Sequence, residues 1–202
     1  MTITSIRQTS PGRLTVALED GEEIKTTLGV VTDRRLFSGR ELDAEALAAL
    51  RMDSARALAR EKALTYVSQR QMSCRELRDK LRQKGVDEDT AAYCVAWLLD
   101  HGLMDEVSYA AAIVRHYTAK GYGLGRVRAE LIRRGIPREL QEEALAAMPE
   151  TDSKIDRFIA SRLRDPEDRD EVQKLTAALY RRGFSGDEIR SALRRFQAEL
   201  EE

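Results

Sequence analysis

Three short stretches decide how this chain is read: LRQKGV at Leu81–Val86, LIRRGI at Leu131–Ile136 and LYRRGF at Leu179–Phe184. Each runs leucine, any residue, a polar or basic pair, glycine, apolar residue. The glycines Gly85, Gly135 and Gly183 recur at close to fifty residues. The match extends in both directions. Leu77, Val127 and Leu175 stand eight residues before the glycines, and Leu81, Leu131 and Leu179 four before. Apolar residues four apart share one face of a helix. After the glycines, Cys94-Val95, Ala144-Leu145 and Ala192-Leu193 occupy equivalent places. A fixed period of this size marks a supersecondary unit that stacks on its neighbours.

The physics of one unit follows from its residues. A helix carries its apolar stripe as far as the leucine, with basic residues in its last turn, where they complement the helix dipole. The glycine takes the left-handed position that ends the helix. The apolar residue after it turns into the core, and the next helix begins at once. Ser185 and Glu188 have capping-box spacing, as do Ser73 and Glu76; Asp87 can cap the first copy and Pro137 suits the first turn of the second. The expected helices are 55–70, 74–84 and 88–101, then 106–119, 124–134 and 138–147, then 153–163, 167–182 and 187–200. A fifty-residue unit of three helices is marginal alone, so an elongated array is expected.

Residues 1 to about 35 follow a different rule. Leu14, Val16 and Leu18 alternate with polar residues, as do Ile24, Thr26 and Leu28. Asp20-Gly21 between them supplies the turn chemistry of a two-residue β-hairpin. A lone hairpin is marginal and should pack on a helix. ELDAEALAAL is the nearest, with Asp43 as N-cap. The fold class is therefore mainly α: three tandem three-helix, helix-turn-helix-like repeats behind a small N-terminal β-hairpin. The expected domains are 1–50 (hairpin plus short helix), 54–104, 105–150 and 151–202.

Composition narrows the function. Charged residues make up 34% of the 202 residues, aromatics 5%, and the formal net charge is −1. A chain this close to neutral has no long-range pull on nucleic acid, so any such affinity must be local. Cys74 and Cys94 have neither CxxC spacing nor a histidine cluster, so no disulfide framework, zinc site or other metal is expected. MTITSIRQTS lacks an apolar export core and no run of 18 apolar residues occurs, so the cytoplasm is expected and the membrane is not. His101 at a helix end and His116 beside Arg115 lack partner ligands. Trp97 reads as core, and Cys94 as a small core filler. Carboxylates are scattered, with none paired for acid–base work. No catalytic residue and no cofactor are expected, and the chain does not read as an enzyme.

The second repeat carries an unusual segment, KGYGLGRVRAELIRRGI, from Lys120 to Ile136. Its glycines follow a helix instead of a strand and do not fit G-x-G-x-x-G, so a dinucleotide or phosphate loop fails on context. Gly121, Gly123 and Gly125 read as a turn whose backbone passes close to a neighbouring helix or a partner. Arg115–Arg138 holds seven basic residues against one acid, Glu130; Arg70–Lys84 holds six against two. Arg133, Arg134, Arg181 and Arg182 fit helix-end placement. Arg126 and Arg128 do not, since cations are disfavoured in a first turn. Tyr122 either stacks at an interface or packs on its own repeat. The candidate partner-binding residues are Arg75, Arg78, Arg82, Arg115, Lys120, Tyr122, Arg126, Arg128 and Arg133; Gly85, Gly135 and Gly183 are structural. Two binding modes stand: helix-turn-helix units on nucleic acid alone, or an extended repeat surface on a protein or protein–DNA filament.

ALTYVSQRQMSCRELRDKLRQKGV, the stretch from WLLDHGLMDEVSYAAAIVRHYTAK to RVRAELIRRGIPRELQEEAL, and QKLTAALYRRGFSGDEIRSAL together resemble the RecX family of bacterial recombination regulators over residues 54 to 200. The hairpin resembles that family's variable first segment. The resemblance implies three tandem three-helix repeats. It also implies binding to the RecA recombinase filament on single-stranded DNA, with inhibition of ATP hydrolysis, strand exchange and filament growth. It implies a regulator of recombination and DNA repair, within the SOS response. The family's Gly-Tyr-Gly segment maps onto Gly121, Tyr122 and Gly123, and the helix after it onto Arg126, Arg128 and Glu130. Leu124 stands where the family often has proline, which makes the turn less stiff. MDEVSY departs from a more acidic, phenylalanine-containing form. Weak direct DNA binding and a monomeric state complete the expectation.

Overall fold

The structure, a computed structural model, describes residues 1–201. Strands β1 (Ile3–Ser10), β2 (Arg13–Leu18) and β3 (Glu23–Thr27) form one antiparallel sheet in the order β1-β2-β3. The expected hairpin is thus two strands of a three-stranded sheet. Val16 pairs with Ile6 on one side and with Ile24 on the other. The Asp20-Gly21 turn is longer than two residues: Leu18 N–H donates to Glu22 O, Asp20 Oδ1 accepts from Glu22 N, and Gly21 has φ +86°. Leu28, expected in the second strand, instead opens α1 (Leu28–Asp33), because the Thr27 hydroxyl accepts from Val30 N and turns the chain into a helix.

Helix α2 (Ala44–Gln69) starts where Asp43 Oδ1 accepts from Ala46 N. It runs unbroken through the expected boundary near Ser54. Leu47 and Leu50 join the core of Ile3, Val16, Leu18, Ile24, Val30 and Leu36. The small residues Ser54, Ala57, Ala59 and Ala63 are all buried, so the helix can lie close to both β3 and α4. Ser54 Oγ donates to Thr26 Oγ1 at 2.8 Å in this core, which satisfies two buried hydroxyls together.

The repeats follow. The first uses the end of α2 with α3 (Cys74–Gln83) and α4 (Glu88–Asp100). The second comprises α5 (Glu106–Ala119), α6 (Leu124–Arg133) and α7 (Arg138–Ala146). The third comprises α8 (Asp152–Ala160), α9 (Arg169–Arg181) and α10 (Gly186–Glu201), giving ten helices among the described residues. Leu77, Val127 and Leu175, then Leu81, Leu131 and Leu179, are all buried, as are Cys94, Ala144 and Ala192. Gly85, Gly135 and Gly183 have φ of +80°, +73° and +86°. After each, the next N–H reaches back to the last leucine: Val86 to Leu81 O, Ile136 to Leu131 O and Phe184 to Leu179 O. This is the left-handed helix ending that the sequence period demands. Asp87 caps α4 through Thr90 N, and Ser185 and Glu188 exchange both bonds of a capping box before α10. Pro137 occupies the N-cap of α7, one place before the first turn.

By compactness the chain divides into two units. The first holds Met1–Met72 with Glu76–Met104. The second holds Ser73–Arg75 with the chain from Asp105 onward. Trp97, read as core, is half-buried: His101 stacks on it at 4.3 Å, and its Nδ1–H donates to Trp97 O at 2.8 Å.

Candidate functional site

The second unit answers what the glycines of residues 121–125 are for. Gly121 ends α5 with φ +75°, and Gly123 is the N-cap of α6. Gly123 N–H donates to Arg182 O and Gly125 N–H to Gly183 O, both at 2.9 Å. A Cβ on Gly123 would lie 2.7 Å from Gly183 O; one on Gly183 would lie 2.1 Å from Arg126 N. The close neighbour is the turn ending α9. Backbone meets backbone there, which only glycine permits. Fifty residues earlier, Ser73 and Arg75 stand where Gly123 and Gly125 do, and they make the equivalent approach with side chains. The Ser73 hydroxyl donates to Arg134 O, and Arg75 Nη2 donates to Arg133 O at 2.8 Å and Ile132 O at 3.4 Å.

This docking brings distant side chains together. Arg182 lies over two rings, Phe158 at 4.4 Å and Tyr122 at 5.5 Å from its guanidinium carbon. Arg162 lies over Phe158 at 4.7 Å, and Arg126 near Tyr122 at 6.0 Å. The result is a ladder alternating cation and ring: Arg126, Tyr122, Arg182, Phe158, Arg162. Each such contact supports a guanidinium plane without consuming its N–H donors. The ladder lines a cleft of about 510 Å³. Phe158 and Arg182 also line a neighbouring cleft of about 260 Å³ with Lys120, Lys154 and Arg157. Among the described residues no carboxylate lines either cleft, and none pairs with Arg126, Arg162, Arg181 or Arg182. Lys154 donates to Thr118 O, and Arg182 to Lys120 O and Gly121 O at 3.4 and 3.2 Å.

The other candidates from the sequence are placed differently. Arg128 lines an adjoining cleft of about 760 Å³ with Leu124, Tyr180, Phe184 and Glu188, which shares Arg126 and Arg181 with the ladder's cleft. Arg115 is exposed on α5. Arg78 and Arg82 reach Glu88, at 3.6 and 2.9 Å, in the first unit. Arg75 is occupied by carbonyls. Arg133 is 68% exposed yet bonds Glu130, as Arg134 does. Glu130 is only 4% exposed, and the Arg133 hydrogen bonds, then those of Arg134 and Tyr117, hold its carboxyl down to about 2. Burial would lower the Arg134 guanidinium, but its bonds to Glu130 and Tyr109 raise it. Lys120, Tyr122 and Arg126 therefore converge on one place, while Arg75 and Arg133 are bound within the fold. Phe158 and Arg162 were not read from the sequence at all. Their four-residue spacing around the end of α8 is a weak signal without knowledge of what faces them. Arg182, read as a helix-end residue, is also the centre of the ladder.

Among the described residues, no group of three or more His, Cys, Asp or Glu could hold a metal ion. No helix there is long and apolar enough to cross a membrane. The family models for the first, second and third three-helix domains of RecX match residues 59–98, 105–145 and 159–193, together more than half of the chain. A regulatory protein RecX of Xanthomonas axonopodis pv. citri is 36% identical over 137 residues, covering 66% of this chain and 85% of the relative. One of Lacticaseibacillus paracasei is 26% identical over 189 residues, covering 90% and 78%. A crystal structure of regulatory protein RecX shares the fold, with a TM-score of 0.72 at 24% identity over 94% of this chain and 97% of that one. That of RecX from Lactobacillus salivarius gives 0.64 at 23% identity, over 71% and 97%. Its three consecutive domain matches and its identity to curated relatives place the chain in the RecX family.

Proposed function

We propose that this chain is a regulatory protein of recombination and DNA repair that binds RecA filaments on single-stranded DNA and inhibits them. Inhibition covers ATP hydrolysis, strand exchange and filament growth. The observation that carries this reading is the ordered match of all three repeats to RecX, whose relatives are named regulatory proteins. The repeats, taken as 54–104, 105–150 and 151–202, give several contact surfaces on one chain. A protein that engages two adjacent protomers gains avidity on the filament over free RecA. It acts by occupying surface, without catalysis or cofactor, as a cytoplasmic monomer. Arg126 and Arg128 are the contact residues put forward first, because both are exposed and neither has a carboxylate partner.

A second reading, direct action on nucleic acid alone, is favoured by one observation: the unpaired basic side chains beside Tyr122 and Phe158. RecA ATP hydrolysis on single-stranded DNA, titrated with this protein, separates the two. Inhibition well below one chain per RecA is expected, and Arg126→Glu with Arg128→Glu weakens it several-fold while helical circular dichroism stays unchanged. Absence of inhibition with tight, steeply salt-dependent binding to naked DNA would favour the second reading.

A further inference from the structure

We infer that the arginine–aromatic ladder of the second unit is a binding site for single-stranded nucleic acid. This deepens the proposed function and rests on it in one respect: it assigns to the nucleic-acid strand a surface that could otherwise contact RecA. Three features carry the assignment. The first is charge. The ladder and the cleft beside it collect Arg126, Arg162, Arg181, Arg182, Lys154 and Arg157 with no carboxylate among them, on a chain whose net charge is −1. Uncompensated cations gathered on a near-neutral protein match a polyanion.

The second is the form of the cations. Three are guanidiniums set against two rings: Arg126 by Tyr122, Arg162 by Phe158 and Arg182 by both. A ring-backed guanidinium presents its in-plane N–H fork outward, which suits the two oxygens of a phosphate. The third is the exposure of the ladder's ends. Arg126 and Arg162 are exposed, and each has a ring on one side only. An unstacked base can lie on such a guanidinium, as bases do on arginine planes in single-strand sites. A paired duplex keeps its bases stacked and cannot use these ends. An acidic peptide would use the charge but leave the stacking faces idle.

The test uses the full chain and a fluorescent twenty-nucleotide thymidine strand, read by anisotropy at about 50 mM and about 200 mM salt. Arg162→Ala is expected to weaken binding about fivefold or more, the loss typical of one stacked base. Arg162→Lys keeps the charge and the salt slope but recovers only part of the affinity. Arg169→Ala, a basic residue outside both clefts, should bind as the parent does. A blunt-ended duplex of equal length should bind more weakly than the single strand. The inference is overturned if the parent does not bind the strand, if Arg162→Ala binds it unchanged, or if polyglutamate competes as well as polythymidine. RecA inhibition measured on the same variants separates the two readings. Loss of inhibition by Arg162→Ala with unchanged strand binding makes the ladder a protein contact and leaves the regulator standing. Weakened strand binding by Arg162→Ala, in a parent that does not inhibit RecA, upholds the ladder and removes the regulator.

Discussion

Replacing each repeat glycine with alanine should produce three different losses from one chemical change. All three positions are left-handed, at φ +80°, +73° and +86°, so each alanine carries a backbone strain of about 1 kcal/mol. Their surroundings then separate them. A Cβ at Gly85 meets nothing within 4 Å, so strain is the whole effect. At Gly135 it would lie 2.2 Å from Arg75 Nε, but that side chain is exposed and can swing away, adding at most about 1 kcal/mol for its lost hydrogen bonds. At Gly183 it would lie 2.1 Å from the backbone nitrogen of Arg126, which cannot move without shifting α6. Overpacking of about 1–3 kcal/mol adds to the strain, and the Gly125–Gly183 and Gly123–Arg182 bonds weaken with it. The total for Gly183→Ala is about 3–4 kcal/mol. Urea unfolding followed by far-ultraviolet circular dichroism measures this. At an m-value of about 1.5 kcal/mol/M, Gly85→Ala moves its transition by under about 1 M and Gly183→Ala by about 2 M or more. Trp97 fluorescence follows the first unit separately, so a non-two-state curve can still be assigned. Equal losses at Gly85 and Gly183 would refute the reasoning, because they would mean that the close approach of the two turns contributes nothing.

Glu130→Gln should cost about 2 kcal/mol at pH 7. The carboxyl sits at about 2 in the fold against an ordinary 4.5, a difference that solvent screening at exposed Arg133 reduces. The unfolded chain takes up this proton first, so the stabilisation is complete above pH 4.5 and fades as pH falls toward 2; urea midpoints of parent and variant should converge over that window. Cys94 is buried, which pushes its thiol up to about 11, and it should resist a thiol reagent at pH 8 until urea unfolds the chain. Prompt labelling of the Cys94 peptide in the native protein would contradict its placement. Ser54→Ala orphans the buried Thr26 hydroxyl and should cost about 1–3 kcal/mol in a urea melt, with Thr26→Val in the same chain recovering part of the loss.

The helices were legible where the chain punctuates itself. Gly85, Gly135 and Gly183 end helices because a left-handed residue must follow, and Asp43, Asp87 and Ser185 start them because their oxygens satisfy free N–H groups. Strand β1 was not legible. Ile3–Ser10 has only Ile3 and Ile6 as apolar residues, and register shifts at Ile3/Ser5 and Gln8/Ser10 break its alternation. The continuity of α2 was hidden because ELDAEALAAL and the helix expected at 55–70 read as separate elements, until buried Ser54 is seen to bond Thr26. At the site, Tyr122 and Arg126 could be read because they are close in sequence with no helical explanation, and Lys120, the C-cap of α5, because it adjoins them. Phe158, Arg162 and Arg182 are brought there only by the turn-to-turn docking. Arg182 was further disguised, since a helix end accounts for an arginine without any site.

That docking also sets what counts as a part. The sequence repeats in blocks of about fifty residues, yet the start of the second helix in the first two blocks is tied to the end of the next block's second helix, by side chains at Ser73–Arg75 and by main chain at Gly123–Gly125. The modules of sequence and the modules of cohesion are therefore out of phase. Cutting the chain cleanly between the second and third blocks would strip two amides of their partners and leave bare the cradle that accepts Gly183. The third block serves as the outer wall of the second, and excising it should loosen what remains.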